Sequence, residues 1–260
     1  MQEKWRSITG LAAVLLLGFA GATVAKAQGG YVNPDGTPHT AKLQDVHWKS
    51  ASTVHIALVS DSTVQDSSGW GPGFIAKLKP NAEGLNLARG GRSTKSFRDE
   101  GRWAQALALK PDYVLIGFSH NDSNQKKAEA YVTPEQFKVN IRQFVQEARA
   151  AGIKPILMTC ETFRRWDGPN RLRYVDAVGP YEKQTRAVAK EMNVQLLDVE
   201  TITHDFFIAQ GPEKMNQDSA IKKDGSIDEI HVNQKGGMEI GAAVAAMAKA
   251  QVPELAPYIQ

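Results

Sequence analysis

Short apolar runs that alternate with stretches of helical periodicity restrict the folds open to this chain more than any other feature. Val54–Val59, Tyr113–Ile116, 155–158 and 194–199 are four to six residues long and mostly apolar, the length and make-up of strands buried in a parallel sheet. A weaker run, 85–88, lies between the first two. Helical patterns separate them. One covers 94–109 and stops at Pro111. Another opens on Thr133, Pro134 and Gln136, an N-cap, a first-turn proline and a capping-box glutamine. It carries Phe137, Ile141, Phe144, Val145 and Ala148 on one face and closes at Gly152. A third spans 176–192 with Tyr181, Val188 and Met192 on one side, and a last follows Asn233 with Ile240, Val244 and Met247 turned inward. Five strands alternating with helices make βαβ units. Eight strands are not found, so the sheet is open rather than a barrel. The expected fold is one α/β domain, residues 53–260, with three α/β/α layers around a five-stranded, mainly parallel sheet.

The first fifty residues stand outside that count. Lys4 and Arg6 make a basic start, 11–25 is an apolar run, and Ala25-Lys26-Ala27 gives a small-x-small cleavage pattern. Residues 1–27 therefore read as a secretory signal peptide, too short and wrongly flanked for a membrane anchor. The expectation is a secreted or periplasmic protein with no stable membrane insertion after cleavage. Residues 28–52 are polar, turn-rich and read as a surface lead-in. Losing Lys4, Arg6, Lys26 and Glu3 takes the formal charge from +3 to +1. That gives no case for nucleic-acid binding. Cys160 is the sole cysteine, so no intramolecular disulfide forms. It ends an apolar run and reads as a small buried hydrophobe. His39 and His47 lack metal-ligand spacing, and no metal or other cofactor is expected.

Polar residues gather where strand ends converge. The first run breaks into Ser60-Asp61-Ser62-Thr63, beyond the end of a buried strand, where open α/β sheets place their ligands. Gly90-Gly91 follows the second strand, where a backbone without side chains can approach a ligand and offer N–H donors. Ser119-His120-Asn121-Asp122 follows the third. Gly117-x-Ser119 resembles the start of a G-x-S-x-G nucleophile elbow, but Asn121 stands where the elbow needs a small residue, which excludes Ser119 as nucleophile. Gly69-Trp70-Gly71-Pro72-Gly73 does not match a phosphate-binding G-x-G-x-x-G. Near the end, Asp228-x-x-His231 places an acid within one turn of an imidazole whose tautomer it could fix. His204-Asp205 is a rival pair, set in a helical segment.

Serine after strand one, glycine after strand two, asparagine after strand three and D-x-x-H near the end resemble the SGNH (GDSL-type) hydrolases, which have a flavodoxin-like fold. Within them the chain is similar to the rhamnogalacturonan acetylesterases, on Asp61-Ser62-Thr63-Val64, Gly69-Trp70-Gly71, Gly91-Arg92-Ser93, Glu100-Gly101-Arg102-Trp103, His120-Asn121-Asp122, Arg164-Arg165 and Asp228-x-x-His231. The resemblance implies Ser62 as nucleophile, His231 as base and Asp228 as its orienting acid. It also implies an oxyanion hole from the N–H groups of Ser62 and Gly91 and the Asn121 side chain. Ser60 departs from the usual Gly-Asp-Ser, which works only if the backbone there needs no positive φ. Trp70, Arg92, His120, Arg164 and Arg165, with Trp166, are expected around the site, where they suit a sugar better than a lipid tail. The expected activity is removal of O-acetyl groups from a polysaccharide or oligosaccharide, pectic in type. The alternatives are a lysophospholipase or thioesterase on the same scaffold, and a catalytically silent carbohydrate-binding protein.

Overall fold

The computed structural model describes residues 46–51, 53–169, 171–173 and 177–260. The expected signal peptide and residues 28–45 and 52 of the lead-in lie outside these. The end of the lead-in is docked: Trp48 stacks on His55 at 4.2 Å and its indole N–H donates to Leu109 O at 2.7 Å.

Five parallel strands form the sheet, in the order β2-β1-β3-β4-β5. They are β1 (Val54–Val59), β2 (Ala82–Asn86), β3 (Tyr113–Ile116), β4 (Lys154–Met158) and β5 (Gln195–Leu197). Side chains alternate across each strand. Ile56, Leu58, Leu115, Ile156 and Met158 enter one core, while Ala57, Val59, Val114, Ile116 and Leu157 enter the other. Both cores are covered by helices, giving the three expected layers. The first is covered by α1 (Gly71–Ile75), α6 (Val199–Asp218) and α7 (Gln234–Gln251), the second by α2 (Thr94–Asp99), α3 (Arg102–Ala108), α4 (Pro134–Ala150) and α5 (Gly179–Glu191).

Several local expectations need correction. The 94–109 pattern is two helices, because Gly101 at φ +75 turns the chain between them. Thr133 caps α4 by accepting from Gln136 N, but the Gln136 side chain donates to Asn140 instead of closing the box. Met247 lies at the exposed edge of α7, since the buried stripe runs through Ile240, Gly241, Val244 and Ala248. A two-stranded antiparallel hairpin, β6 (Ser219–Ile221) with β7 (Ile227–Val232), was not anticipated. The sequence of β7, I-D-E-I-H-V, carries three ionisable side chains and is only half-buried, so it lacks the apolar signature of the sheet strands.

The glycines before and within α1 let it lie close to α7. A Cβ on Gly73 would fall 2.6 Å from Gly237 O, and one on Gly241 would fall 2.3 Å from Trp70 O. No side chain fits at that crossing.

Candidate active site

The chain leaves β1 for β2 on one side and later returns to β3 on the other, and the carboxyl ends of strands that diverge in this way border a crevice. Ser62 sits at the end of β1. Asp61, fully buried, shapes the turn by accepting from Thr63 N at 3.0 Å and Thr63 Oγ1 at 2.9 Å through one carboxylate oxygen. Ser60 has no positive φ, and its hydroxyl donates to Gly117 O at 2.5 Å. A serine thus fits at that point of the chain and ties the end of β1 to the end of β3.

His231, near the end of β7, brings Nε2 to 2.8 Å from Ser62 Oγ. Its Nδ1 lies 2.9 Å from Asp228 Oδ2. The other Asp228 oxygen accepts from the backbone N–H groups of Ile230 and His231 at 2.9 and 3.0 Å. Burial pushes the Asp228 carboxyl up, but these N–H donors and the imidazole outweigh it and hold the group below the usual carboxylate range. An ionised Asp228 favours the tautomer with the proton on Nδ1, leaving Nε2 to accept the serine proton. The hairpin is moored to the Ser62 turn: Val232 N donates to Ser68 O at 3.0 Å and Ser68 Oγ to Ser62 O at 2.9 Å.

Three N–H groups were expected to form an oxyanion hole with Ser62. The backbone N–H groups of Ser62 and Gly91 donate to no acceptor among the described residues. Gly91 holds φ +78 with open space where a Cβ would be, so conformation rather than crowding calls for glycine. Asn121 Nδ2 donates to Arg92 O at 3.1 Å and lies 3.4 Å from Asp61 Oδ2. Asp122, directly after it, is buried and pushed up to about 7 by that burial, while its bonds from Thr94 N and Oγ1 oppose the rise.

The residues expected to meet substrate are placed differently. Trp70 is 1% exposed and packs edge-on against Phe74, inside the core, because the α1–α7 crossing closes over it. Arg92 is 4% exposed; its Nε donates to both Glu100 oxygens at 3.0 and 3.1 Å and its Nη1 to Gly90 O. It braces the glycine loop from behind. Arg164 is 3% exposed. It donates to Glu161 Oε1 at 2.8 Å, Ser219 Oγ at 3.1 Å and His231 O at 2.7 Å, and its backbone N–H to Glu229 O at 2.8 Å. Neither arginine faces solvent, so neither can hold a substrate carboxylate; Arg164 instead clamps the loop bearing Asp228 and His231. Arg165 remains at the surface, paired with Glu229 at 2.5 Å and lying over the Phe163 ring. Trp166 packs against the core, half-buried, with its indole nitrogen covered. His120 lines a cavity of about 250 Å³ together with Cys160, Glu161, Phe163, Glu182 and residues nearer the surface. Ser119 is fully buried, beside Glu182 and Cys160. His204 bonds to Asp205 at 3.0 Å on the exposed face of α6. Cys160 is buried, its thiol pushed up by that burial.

Sequence reasoning passed over Asp61 as the turn's organiser, Arg164 as a clamp, and Glu161 and Glu182 altogether. The Glu161-x-x-Arg164 spacing at a strand end was the available signal for the clamp. For Glu182 there was none beyond its place next to the inward-facing Tyr181.

Among the described residues no group of His, Cys, Asp and Glu is arranged to hold a metal ion, and no helix is long and apolar enough to cross a membrane. Comparison with known proteins places the chain. The profile of the GDSL-like Lipase/Acylhydrolase family matches residues 54–237. Rhamnogalacturonan acetylesterase RhgT of Bacillus subtilis is 33% identical over 210 residues, covering 74% of this chain and 88% of that protein. The crystal structure of protein YxiM from Bacillus subtilis superposes with a TM-score of 0.67 at 25% identity, covering 76% of this chain and 57% of that one. Axe2, an acetylxylan esterase from Geobacillus stearothermophilus, shares the fold with a TM-score of 0.56 at 18% identity over 74% of this chain and 92% of its own. A five-stranded parallel sheet between helices, with this family's profile running across most of it, identifies the chain as a member of the GDSL-like lipase/acylhydrolase (SGNH) family and its class as that of a carboxylic ester hydrolase.

Proposed function

We propose that the protein is an exported serine esterase that removes O-acetyl groups from a pectic polysaccharide. The observation that carries this reading is the continuous Ser62–His231–Asp228 chain, with contacts of 2.8 and 2.9 Å. A serine hydroxyl is a weak nucleophile until a base takes its proton. In this reading His231 Nε2 takes it as Ser62 Oγ attacks the acetyl carbonyl, and Asp228 stabilises the imidazolium without accepting the proton. In this reading the N–H groups of Ser62 and Gly91 and the Asn121 amide receive the tetrahedral oxyanion, one such donor being worth about 3–4 kcal/mol in a serine protease of unrelated fold. His231 then protonates the sugar alkoxide as it leaves, and water attacks the acetyl-enzyme by the same route.

The pectic substrate is supported by the 33% identity to a rhamnogalacturonan acetylesterase. Export is supported by the basic, apolar and small-x-small order of residues 1–27. The cavity lined by His120 has two buried glutamates on its wall, a poor lining for a long acyl chain. Acetate release from acetylated pectin, xylan and chitin, measured beside p-nitrophenyl esters of increasing acyl length, tests the reading. Preference for acetyl esters and for pectin supports it. Faster turnover of octanoyl or longer esters would instead favour the lysophospholipase or thioesterase class.

A further inference from the structure

Two of the N–H groups assigned to the oxyanion sit on separate segments. Gly91 lies between β2 and α2, and Asn121 follows β3. Each segment reaches the Ser62 turn: Gly90 N donates to Gln65 Oε1 at 2.7 Å, and Asn121 Nδ2 lies 3.4 Å from Asp61 Oδ2. Asn121 Nδ2 also donates to Arg92 O at 3.1 Å, which joins the two segments once. A single hydrogen bond leaves one free to pivot on the other. Asp122 supplies the second tie. Its Oδ1 accepts from Thr94 N at 2.9 Å and from Thr94 Oγ1. Asn121 on Arg92 and Asp122 on Thr94 thus form neighbouring rungs, which together fix distance and orientation.

The far side of the Thr94 hydroxyl is held too. Asn140 Nδ2 donates to Thr94 Oγ1 at 2.8 Å, so the hydroxyl proton is left for Asp122. Asn140 Oδ1 accepts in turn from Gln136 Nε2 at 2.9 Å, and both residues stand on the 17-residue helix α4. Thr94 and Asp122 are fully buried, and Asn121 and Asn140 nearly so. Backbone bonds hold the turn around them: Ser123 N donates to Ser119 O at 2.9 Å and Val132 N to Asp122 O at 3.1 Å.

Stability does not account for an acid at this point. Burial pushes Asp122 up to about 7, against its bonds from Thr94 and from its own N–H. Its ionisation above that value weakens the fold. What Asp122 gives the structure is an acceptor for two donors of one residue, and a protonated carboxyl keeps such an acceptor. A group of this kind is better explained by what it positions than by what it stabilises.

We propose that Asp122 is a positioning residue for ester hydrolysis, which through Thr94 holds the Asn121 amide in register with the Gly91 N–H. The proposal rests on the serine esterase reading and adds what keeps two of its oxyanion donors together.

The test compares the parent with Asp122→Ala, Asp122→Asn, Thr94→Val and Thr94→Ser. Val188→Ala, a core truncation on α5, controls for lost stability. kcat and KM for p-nitrophenyl acetate are read beside Ki for phenyl trifluoromethyl ketone, whose serine adduct carries the tetrahedral oxyanion. Losing one oxyanion donor costs about 10²–10³ in kcat in a serine protease, so displacing one should cost about tenfold or more. Asp122→Ala should lower kcat and raise Ki by that factor, with KM within about threefold. Asp122→Asn keeps the acceptor and should rescue all three constants to within about threefold. Thr94→Val should follow Asp122→Ala and Thr94→Ser the parent, and this pair decides the matter if Asp122→Ala does not fold. Val188→Ala should lower the melting temperature and leave kcat and Ki in place.

A kcat and Ki within threefold of the parent in Asp122→Ala or Thr94→Val overturn the proposal. So does a KM that rises as far as kcat falls. Equal losses in Asp122→Asn and Asp122→Ala also overturn it, because charge rather than an acceptor would then be required. A matching loss of kcat in Val188→Ala overturns it as well, since lowered stability alone would explain the effect. Ser62→Ala separates the two levels. If it is inactive while Asp122→Ala is unaffected, only the positioning role falls; if it retains activity, the serine esterase reading falls.

Discussion

Arg164 gives the sharpest test of how the site is held together. Its side chain is 1% exposed, as is that of its partner Glu161, and it reaches His231 O at 2.7 Å and Ser219 Oγ at 3.1 Å. In Arg164→Ala the carbonyl of His231 and the Glu161 carboxylate lose their donor together. A buried acceptor left without a partner costs about 1–3 kcal/mol. A buried charge left unpaired raises the total to about 3–5 kcal/mol. Which figure applies depends on pH, because burial already holds Glu161 at about 7 with the arginine present. Below that value Glu161 is protonated in parent and variant alike, and only the hydrogen bonds are lost. Above it the parent ionises, whereas the variant retains the proton until a higher pH, so the deficit grows by about 1.4 kcal/mol per pH unit across that window. Denaturant unfolding should therefore show a loss of about 1–3 kcal/mol at pH 6 and about 2.4–4.4 kcal/mol at pH 8. The double variant Arg164→Ala, Glu161→Gln should recover the pH-dependent part. Catalysis should not recover, since the loop carrying Asp228 and His231 still lacks its clamp. A displacement of about 1 Å costs on the order of 10²-fold in kcat. A deficit that is the same at both pH values refutes the ion-pair reasoning. A kcat within twofold of the parent in either variant refutes the clamp.

The other predictions are briefer. Ser62→Ala should remove nearly all p-nitrophenyl acetate hydrolysis, whereas Ser119→Ala, at a buried hydroxyl beside Glu182, should leave an active enzyme; equal loss from both would revive Ser119 as nucleophile. Gly237→Ala puts a Cβ 2.4 Å from Gly69 O, so calorimetry should show about 1–3 kcal/mol of overpacking and kcat should fall because the loops bearing Ser62 and His231 are pushed apart. Gly91→Ala meets no atom within 4 Å but must hold φ +78, and should cost about 1–2 kcal/mol while lowering kcat more than KM; a larger effect on KM would remove Gly91 from the oxyanion hole. Asp122, held at about 7 by burial, binds an extra proton in the folded state between the unfolded carboxylate range and that value. Stability should fall as pH rises through this window, and Asp122→Asn should flatten the fall in a urea-unfolding series from pH 4 to 8.

What the sequence made legible follows from how each residue is used. β1 and β3 match the expected runs residue for residue, because apart from His55 near the start of β1 no polar residue blurs their ends. Strand β2 is half-buried throughout and contains Gly84, so the expected run starts three residues late and ends two late. Ser62, Asp228 and His231 were visible as types at telling positions, but their approach across 169 residues was not; it depends on the α1–α7 crossing and the mooring of β7 at Ser68. The arginines misled for a plain reason. A guanidinium after a strand end reads the same in sequence whether it faces solvent or is closed in by Glu100 or Glu161, and only tertiary packing separates the two. Glu161 and Glu182 were missed because acidic side chains are almost never fully buried, so nothing in composition suggests two of them on one cavity wall.

The cavity wall also bears on how such a chain can be altered. Ser62, Gly91 and Asn121 come from the ends of β1, β2 and β3, and His231 from the hairpin, whereas much of the wall comes from the stretch between β4 and α5. The cavity and the Ser62–His231–Asp228 chain are thus written on different parts of the sequence, and one can be revised while the other is inherited intact. The separation has a boundary. Glu161 and Arg164 belong to that stretch by position but to the catalytic arm by contact. Residues beyond Arg164 are therefore open to exchange between relatives, while a graft that begins before Glu161 brings a foreign clamp with it.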